Sequence, residues 1–416
     1  MLRLPVNSKD LFYGVSLFIL IGSVIFRVEE LPLLNIPLAV VSMLLVAVVI
    51  VRNIRKLKFQ LPFLLIETGI YLYIIFNTLR YHYVDSLFPQ LMMLVKGLAV
   101  VAVFAAYNNS PKKVYRLLSD VFLAFIVLNL IQMTLFPDLL GSDGGMRIYL
   151  VSANYNQFGG IFMPGILASY IAASIERRST WRFFAITFLA LVSVAVAGSV
   201  TATVGFLLIA MFFFFRKNTM LTRTAVIGLA AFTVIFFYTF VMASAGSFLS
   251  DSAMVDKFME YTGKSMTFSG RTEVWVKSLL MIADHPLLGI GAYASGSYAD
   301  SFLGVANVHN GLLDLIVVGG VLLLCTVCTL VICMFVRLHR RLEKEYFYGE
   351  LFIFIVFLFM MQLEVYNYFM LFLFFLSLHF SSKVPAFGKK RLKNKHEDID
   401  SVEGVSVSQG PSVRKF

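Results

Sequence analysis

The chain is poor in charged residues, and this shortage narrows the class of protein. Only 14% of its 416 residues are charged, whereas 59% are hydrophobic. The mean hydropathy is +0.83. The core of a water-soluble protein cannot absorb this much apolar surface, so the composition excludes a soluble enzyme and predicts a polytopic membrane protein.

Cysteines are also scarce, which argues against disulfide or redox chemistry. The three cysteines, Cys325, Cys328 and Cys333, all fall inside one apolar run. A Cys-x-x-Cys pair on a lipid-embedded helix is more typical of small packing residues than of a redox pair. We therefore interpret these thiols as packing residues.

Several catalytic sequence signals are missing. The carboxylates of the predicted outer loops show no Asp-x-Asp pair, and no His-x-x-x-His spacing accompanies them. There is no Gly-x-Ser-x-Gly elbow and no glycine-rich loop followed by lysine. We expect no metal, no cofactor and no nucleotide-dependent reaction on the cytoplasmic side.

Long apolar runs are what the chain has in abundance. Ten are long enough to cross roughly 30 Å of hydrocarbon. An eleventh apolar stretch, 348–381, has a polar centre at 362–367, which predicts a hairpin between two short spans. The ten runs lie at 11–26, 31–51, 61–79, 87–107, 114–136, 158–176, 181–198, 200–215, 222–247 and 311–336. The predicted fold is an all-α polytopic membrane protein with about 12 transmembrane helices.

The distribution of basic residues supports this topology independently. Of the 35 lysines and arginines, 27 fall in alternate connecting segments and termini, as expected if these are cytoplasmic. Both termini are then cytoplasmic. The net charge of +11 reflects the placement of basic residues on the cytoplasmic side more than the recognition of an acidic partner. Nucleic acid is not an expected partner.

Four regions follow from the predicted spans. Residues 1–247 hold transmembrane helices 1 to 9, and 248–310 form a large extracytoplasmic loop. Residues 311–382 hold helices 10 to 12, and 383–416 form a basic, solvated cytoplasmic tail that can touch anionic lipid. A loop as long as 248–310 inside a compact bundle is usually functional.

The large loop contains a predicted helix with an arginine at its start. Ser269 is a candidate N-cap and Pro286 stops the run, while Trp275, Leu279, Ile282 and Ala283 recur on one helical face. Backbone N–H groups together with Arg271 suit an anion, particularly a phosphate. An ordinary capped helix with a solvated arginine is the alternative.

Three polar residues of the same loop are further candidates. His309 and Asn310 directly precede the tenth span, where a histidine can act as general base for a hydroxyl nucleophile or simply cap the helix. His285 precedes Pro286, which favours a helix-terminating role.

A second outer loop, 137–157, carries a single basic residue, Arg147. The polar residues Ser152, Asn154, Asn156 and Gln157 follow it, before glycines that permit close backbone approach. The loop is either a turn-rich connection or a second basic contact for the same anionic substrate.

Lys96 lies about nine residues, or roughly 13 Å, inside a predicted span. A charge at that depth faces the bundle interior or a cavity and is a functional candidate. A structural ion pair with Glu67 or Asp120 and a contact with a substrate phosphate are both open interpretations.

The ordered motifs of the large loop resemble the O-antigen ligase and O-antigen polymerase superfamily of bacterial envelope glycosyltransferases. The resemblance is carried by Gly270-Arg271, Trp275, His285-Pro286-Leu287-Leu288-Gly289-Ile290-Gly291, His309-Asn310 and Gly319-Gly320. Arg147 and the Ala153-Asn154 region are similar to the family's Arg-to-Asn segment. One departure is Ser199-Val200-Thr201-Ala202, where the family often carries Ser-Arg.

The resemblance implies a GT-C-like enzyme of the bacterial inner membrane with its active site on the extracytoplasmic face. Such enzymes transfer a glycan from undecaprenyl diphosphate to a sugar hydroxyl without metal or nucleotide. Arg271 would stabilise the leaving diphosphate, helped by Arg147 and Lys96, and His309 would deprotonate the acceptor. Asn310 and Asn154 would orient the acceptor.

Two alternatives accompany the leading interpretation, a polysaccharide polymerase. A ligase would transfer the glycan to lipid A-core or to protein, and a flippase would move a lipid-linked oligosaccharide. The expected partners are the lipid-linked glycan donor, a glycan acceptor, membrane lipid and, for a polymerase, a chain-length regulator. Transporters tend to show internal repeats, and none is evident in this sequence.

Overall fold

The computed structural model describes residues 7–26, 32–137, 140, 142–143, 146–147, 149–152, 155–176, 181–242, 271–293, 298–304 and 307–383. These residues form helices, apart from connecting segments and one small hairpin of two-residue strands, Ser142–Asp143 (β1) and Met146–Arg147 (β2). The predicted tail beyond Lys383 and the part of the large loop before Arg271, with the proposed cap Ser269, lie outside the described residues. The all-helical fold class is confirmed.

Fourteen α-helices make up the described part of the chain. They are α1 Ser8–Ile25, α2 Pro32–Leu57, α3 Leu61–Arg80, α4 Val84–Ala106, α5 Pro111–Leu135, α6 Phe158–Glu176, α7 Trp181–Ala197, α8 Val200–Phe215, α9 Thr219–Phe236, α10 Arg271–Asp284, α11 Tyr298–Leu303, α12 Gly311–Arg341, α13 Lys344–Met361 and α14 Tyr368–Ser381. Short 3₁₀ turns lie at Lys58–Gln60 and Tyr155–Gln157, and α9 continues into a π-helical turn, Phe237–Met242.

Each of the twelve predicted spans coincides with a helix. Among the described residues, eight helices are long and apolar enough to cross a membrane, and α7, α8 and α14 are shorter apolar helices. The chain is therefore a multi-pass helical membrane protein, while twelve crossings stay a prediction.

Asparagine side chains begin several of these helices. Asn7, Asn218, Asn310 and Asn367 each accept a hydrogen bond from a backbone N–H in the first turn of α1, α9, α12 and α14. An amide oxygen at this position satisfies a donor that has no partner within the helix.

Helix α6 lies at the centre of the bundle. In its most apolar window 89% of the residues are buried, against 22–56% for the other candidate spans. It packs on α5, α7 and α14. A Cβ on Gly160 would lie 2.3 Å from Tyr366, so the absence of a side chain at this glycine lets Tyr366 pack directly against the backbone of α6.

Helix α12 is broken in its first half, at Gly320. This glycine has φ 62° and ψ −171°, which interrupts the helical hydrogen-bond ladder roughly 13 Å from the helix start. Residues 286–292, here called the 286–292 segment, run along the break. Four backbone bonds join them: Val321 N–H to Pro286 O (2.8 Å), Leu322 N–H to Leu287 O (3.3 Å), Ile290 N–H to Val317 O (2.8 Å) and Gly291 N–H to Val318 O (2.8 Å).

Helix α3 holds the other side of the 286–292 segment. The Tyr73 hydroxyl donates to the carbonyl oxygens of Gly319 (2.9 Å) and Leu288 (3.2 Å), and Asn77 Nδ2 also donates to Leu288 O (2.9 Å). Non-helical backbone at membrane depth is tolerated where protein partners satisfy it, as they do here. The His-Pro-Leu-Leu-Gly-Ile-Gly motif thus fills a gap in a membrane helix.

Helices α13 and α14 form the predicted hairpin. The Ser381 hydroxyl at the end of α14 donates to Glu350 near the start of α13, 2.7 Å away, which makes the two helices antiparallel. Residues 362–367 connect them and are called the 362–367 loop below.

Two sequence expectations about packing are wrong. On α10, Trp275, Leu279 and Ile282 are buried or partly buried as predicted, whereas Ala283 is exposed, because eight helical residues turn it about 80° away from Trp275. The other buried residues of this helix are Val274, Ser278 and Met281. The three cysteines of α12 are exposed, free thiols and not packing residues.

Candidate functional site

The guanidinium of Arg271, at the first residue of α10, is bound to the 362–367 loop. Its Nη2 donates to Glu364 Oε1 at 2.7 Å, and its Nη1 donates to the carbonyl oxygen of Leu363 at 2.5 Å. The side chain of Glu364 is 3% exposed and that of Arg271 is 17% exposed. Arg271 is therefore neither solvated nor a mere capping-region residue, because a buried carboxylate and a carbonyl group hold it in place.

His309 lies close enough to Arg271 for their charges to interact. Burial, and to a lesser extent the positive charge of Arg271, together lower the pKa of His309 to about 4. Its Nδ1 is buried and has no hydrogen-bond partner within the described residues. The imidazole is consequently neutral near pH 7, and a nitrogen is left to bind something else.

The backbone at His309 is unusual. Its φ of 50° lies in the left-handed region, which few non-glycine residues adopt. The Asn307 side chain accepts a hydrogen bond from the His309 N–H at 3.0 Å and so supports this conformation. Outliers of this kind concentrate at functional sites, where the surrounding structure fixes them.

Asn310, and not His309, caps α12. Its Oδ1 accepts from the N–H groups of Leu312 and Leu313 at 3.0 Å, while its Nδ2 donates to the carbonyl oxygen of Gln362 at 2.9 Å. Asn310 is fully buried. Of the two interpretations of His309, general base and helix cap, the second is therefore excluded, because Asn310 caps the helix.

The 362–367 loop forms hydrogen bonds with several parts of the chain. Gln157 Nε2 donates to Val365 O at 2.5 Å, and the N–H of Gly311 donates to Glu364 O at 3.2 Å. Gln362 Nε2 donates to Thr233 O at 2.9 Å. The loop therefore joins the two predicted outer loops, 137–157 and 248–310, at one point.

A cavity of about 420 Å³ opens beside this loop. Ligand sites are usually a few hundred to a thousand Å³ in volume. The lining residues are Val24, Ile25, Met93, Val151, Ser152, Gln157, Ile161, Asn307, Val365, Tyr366, Asn367 and Tyr368. Amides, hydroxyls and aromatic rings on apolar walls form a lining suited to a ligand with many hydroxyl groups.

Lys96 is buried one helical turn from Met93, which lines this cavity. Its Nζ donates to the carbonyl oxygen of Ser23 at 3.2 Å. Of the two open interpretations, the ion pair with Glu67 or Asp120 is not formed: Asp120 pairs with Arg182, and the Glu67 carboxylate oxygens accept no hydrogen bond from a described residue. The physical reason is that Ser23 lies in the last turn of α1, where carbonyl groups lack helical partners and attract a cation.

The other candidates from the second outer loop are only partly visible. Arg147 lies in β2, where its backbone pairs with Ser142. Asn154 lies outside the described residues. Gln157 is thus the described member of that polar cluster that reaches the 362–367 loop.

His285 has a structural role, as predicted. It follows the last residue of α10, and its Nδ1 is 2.9 Å from the hydroxyl of Tyr81 at the end of α3. This contact holds the end of α10 against α3 at the point where the 286–292 segment begins.

Sequence reasoning missed two acidic residues. Glu364 was interpreted only as part of a polar turn, and Asp314 as part of an apolar span. Asp314 is 5% exposed and accepts from Tyr293 (3.1 Å) and from Tyr368 (2.5 Å), the latter a residue of the cavity wall. A polar residue inside the run GLLDLIVVGG was the only available signal.

Within the described residues no three His, Cys, Asp or Glu side chains cluster as metal ligands.

Comparison with known proteins agrees with the sequence motifs. Residues 185–328 match the profile of the family described as O-antigen ligase, a stretch that contains Arg271, the 286–292 segment and His309. A comparison with curated proteins gives no match. This match supports the resemblance to the O-antigen ligase and polymerase superfamily that the loop motifs carry.

Proposed function

We propose that this protein transfers a glycan from undecaprenyl diphosphate to a sugar hydroxyl of another lipid-linked repeat unit, as a polysaccharide polymerase. The observation that carries the proposal is the pairing of a mostly buried Arg271 with Glu364 beside the neutral His309. Arg271 and His309 both fall in the stretch that matches the O-antigen ligase family.

Arg271 is suited to the leaving group. When the bond between the anomeric carbon and the diphosphate oxygen breaks, negative charge grows on the diphosphate, and a fixed guanidinium stabilises it. Glu364 occupies one face of that guanidinium, so it holds Arg271 in place before the donor arrives. Arg147 and Lys96 are proposed as further cationic contacts.

His309 is suited to the acceptor. The attacking hydroxyl forms the new bond to the anomeric carbon while its proton passes to the imidazole, which is uncharged near pH 7 because its pKa is about 4. A diphosphate bound at Arg271 offsets the positive charge that contributes to this low pKa. Donor binding therefore makes His309 a stronger base at the moment it is needed.

The cavity beside the 362–367 loop is proposed to hold part of the glycan. Gln157 and Asn367 offer amide groups, and Tyr366 and Tyr368 offer ring faces and hydroxyls, which suit sugar rings. Asn310 positions this wall through its bond to Gln362, and Asn154 is proposed as an additional polar contact. The proposed reaction needs no metal and takes place at the extracytoplasmic face of the inner membrane.

The test is transfer by the purified protein reconstituted with lipid-linked repeat units alone. Long chains without any added acceptor are expected. Product only after addition of lipid A-core or a protein acceptor would identify a ligase, and no product with any acceptor would contradict the proposed chemistry.

Variants tie the reaction to the site. Removing a charge-stabilising donor typically slows such reactions by about 10²–10³-fold, which is the loss expected for Arg271→Ala. Lys277→Ala is the matched control, because Lys277 lies on the same helix and pairs with the exposed Glu273. Equal losses in both variants would argue against a role for Arg271. Lipid transport without transfer, unaffected by Arg271→Ala and His309→Ala, would favour a flippase.

A further inference from the structure

A second cavity lies at the opposite end of the bundle from His309. It is a half-open groove of about 410 Å³ between the start of α3 and the second half of α12. Its lining residues are Pro62, Phe63, Ile66, Cys325, Thr326, Thr329, Leu330, Cys333, Met334, Arg337 and His379. Arg337 lies 26 residues after Gly311, or about 39 Å along α12, so the groove is separate from the proposed glycan site.

Basic side chains gather at the open end of this groove. Arg337 lines it, and neither Arg337 nor Arg341 forms a salt bridge with a described carboxylate. Lys383 lies nearby and donates to Gln60 at 2.7 Å. Burial, followed by the positive charges of Arg337 and Arg341, lowers the pKa of Lys383 to about 8. The basic side chains at this end are therefore close enough for their charges to interact.

A buried polar atom also belongs to a residue that lines the groove. His379 is 3% exposed, and its Nε2 has no hydrogen-bond partner within the described residues. The ring rests on Phe63, with centroids 4.7 Å apart, so its orientation is fixed. A buried nitrogen without a partner costs free energy unless a ligand or water satisfies it.

The walls of the groove are apolar and belong to helices that the membrane surrounds. Ile66, Leu330 and Met334 line its length, and basic groups stand at only one end. An elongated apolar chain with an anionic head matches this arrangement. The excess of basic residues at this end predicts that it faces the cytoplasm, where anionic phospholipids attract lysine and arginine.

We propose that this groove binds an anionic phospholipid of the cytoplasmic leaflet, with one acyl chain between α3 and α12 and the phosphate at Arg337 and His379. Lys383 adds a second positive charge near the phosphate. The bound lipid fills the space between the two helices that hold the 286–292 segment at their other ends, so it braces the helix pair that supports the glycan site.

Native mass spectrometry of the full-length protein in detergent tests the proposal. The protein is incubated with equal amounts of phosphatidylglycerol and phosphatidylcholine, and the retained lipid is counted. Wild type is expected to retain phosphatidylglycerol in preference. Arg337→Gln and Lys383→Gln are each expected to reduce that retention about fivefold, the effect of one interfacial cation.

Two further variants make the result specific. Arg340→Gln removes the same charge from an exposed residue of α12 that does not line the groove, and it is expected to retain lipid like wild type. Thr329→Phe fills the groove without changing charge and is expected to reduce retention. Thermal unfolding of each variant in detergent checks that the fold is intact.

Three outcomes would overturn the assignment. They are equal retention of the two phospholipids by wild type, an Arg340→Gln loss as large as that of Arg337→Gln, and unchanged retention in Thr329→Phe. A fourth outcome would also overturn the assignment, namely displacement of phosphatidylglycerol by a polyprenyl phosphate at tenfold lower concentration. The ligand of the groove would then be the carrier lipid and not a phospholipid. None of these readouts depends on glycan transfer.

Discussion

Arg271 and Glu364 form an ion pair at 2.7 Å although 93 residues separate them in the chain. The pair joins the first residue of α10, in the large loop, to the connection between the last two membrane helices. Because Glu364 is 3% exposed, its charge depends on Arg271 for compensation.

Removing one member of this pair should destabilise the protein more than removing both. Arg271→Ala leaves a buried carboxylate without its counterion, which costs about 3 kcal/mol. Arg271→Ala/Glu364→Gln removes both charges and is expected to unfold closer to wild type in thermal denaturation, while transfer activity stays lost. A double variant as unstable as the single one would show that the pairing itself contributes little.

The destabilisation of Arg271→Ala should also depend on pH. Burial raises the pKa of Glu364, and Arg271 acts in the opposite direction. Without the arginine the folded-state pKa rises further above the unfolded value, so the folded protein binds a proton more readily than the unfolded chain. Arg271→Ala therefore loses less stability at pH 5 than at pH 8, a difference that the double variant should not show.

The pH dependence of transfer should report the environment of His309. The neutral imidazole is the active form, and with its pKa at about 4 the value of kcat/KM should hold down to about pH 5 and fall below it. The decrease of kcat at low pH should begin at a higher pH than that of kcat/KM, because a bound diphosphate offsets the positive charge of Arg271. His309→Gln should lose most activity, and the remaining activity should show neither decrease. A decrease of kcat/KM centred near pH 6.5 would mean that the imidazole is solvated.

Asn310 has two functions: it caps α12, and it donates a hydrogen bond to the 362–367 loop. One substitution removes the second function and keeps the first. Asn310→Asp keeps an acceptor for the N–H groups of α12 but cannot donate to Gln362 O, so transfer should fall more than stability. Asn310→Ala should lose both transfer and stability, because the missing cap alone costs about 1 kcal/mol of folding free energy.

Asn218→Ala is the control for the Asn310 variants. Asn218 caps α9 with the same two kinds of hydrogen bond, and both of these bonds stay within the first turn of that helix. It should lower the melting temperature without changing transfer per folded molecule. Equal loss of activity in Asn218→Ala and Asn310→Asp would contradict a specific role for the bond to Gln362.

Gly320→Ala should disrupt the break in α12. A Cβ at this residue would lie 2.2 Å from Leu287 O, and φ 62° is strained for alanine, so the 286–292 segment must move. Loss of folded protein or a large drop in melting temperature is expected. Gly228→Ala on α9 is the control, since a Cβ there meets nothing within 4 Å and alanine should stabilise the helix by about 0.5–1 kcal/mol.

Much of the fold could be predicted from local sequence because each apolar run has one solution in a membrane, a helix. The polar interruption at 362–367 identified the turn between α13 and α14, and Pro286 identified the end of α10. The loop motif containing Arg271 and His309 predicted a resemblance that the match of residues 185–328 to the O-antigen ligase family supports.

Pairings between distant residues could not be predicted in this way. Glu364 is 93 residues from Arg271 and stands in a stretch whose polarity a simple turn explains. For Lys96 the sequence left a carboxylate partner and a phosphate contact open, whereas the end of α1 supplies a carbonyl oxygen that no sequence pattern marks. The burial of Ser278 on α10 was also missed, because apolar periodicity does not count a hydroxyl residue.

The bonds between the 286–292 segment and the broken α12 have a consequence for protein engineering. The outer loop and the membrane helix share one backbone hydrogen-bond network, so neither is a modular part that can be exchanged alone. Chimeras between relatives with different glycan specificities should place their junctions before α10 and after α12, so that both partners of the network come from the same parent.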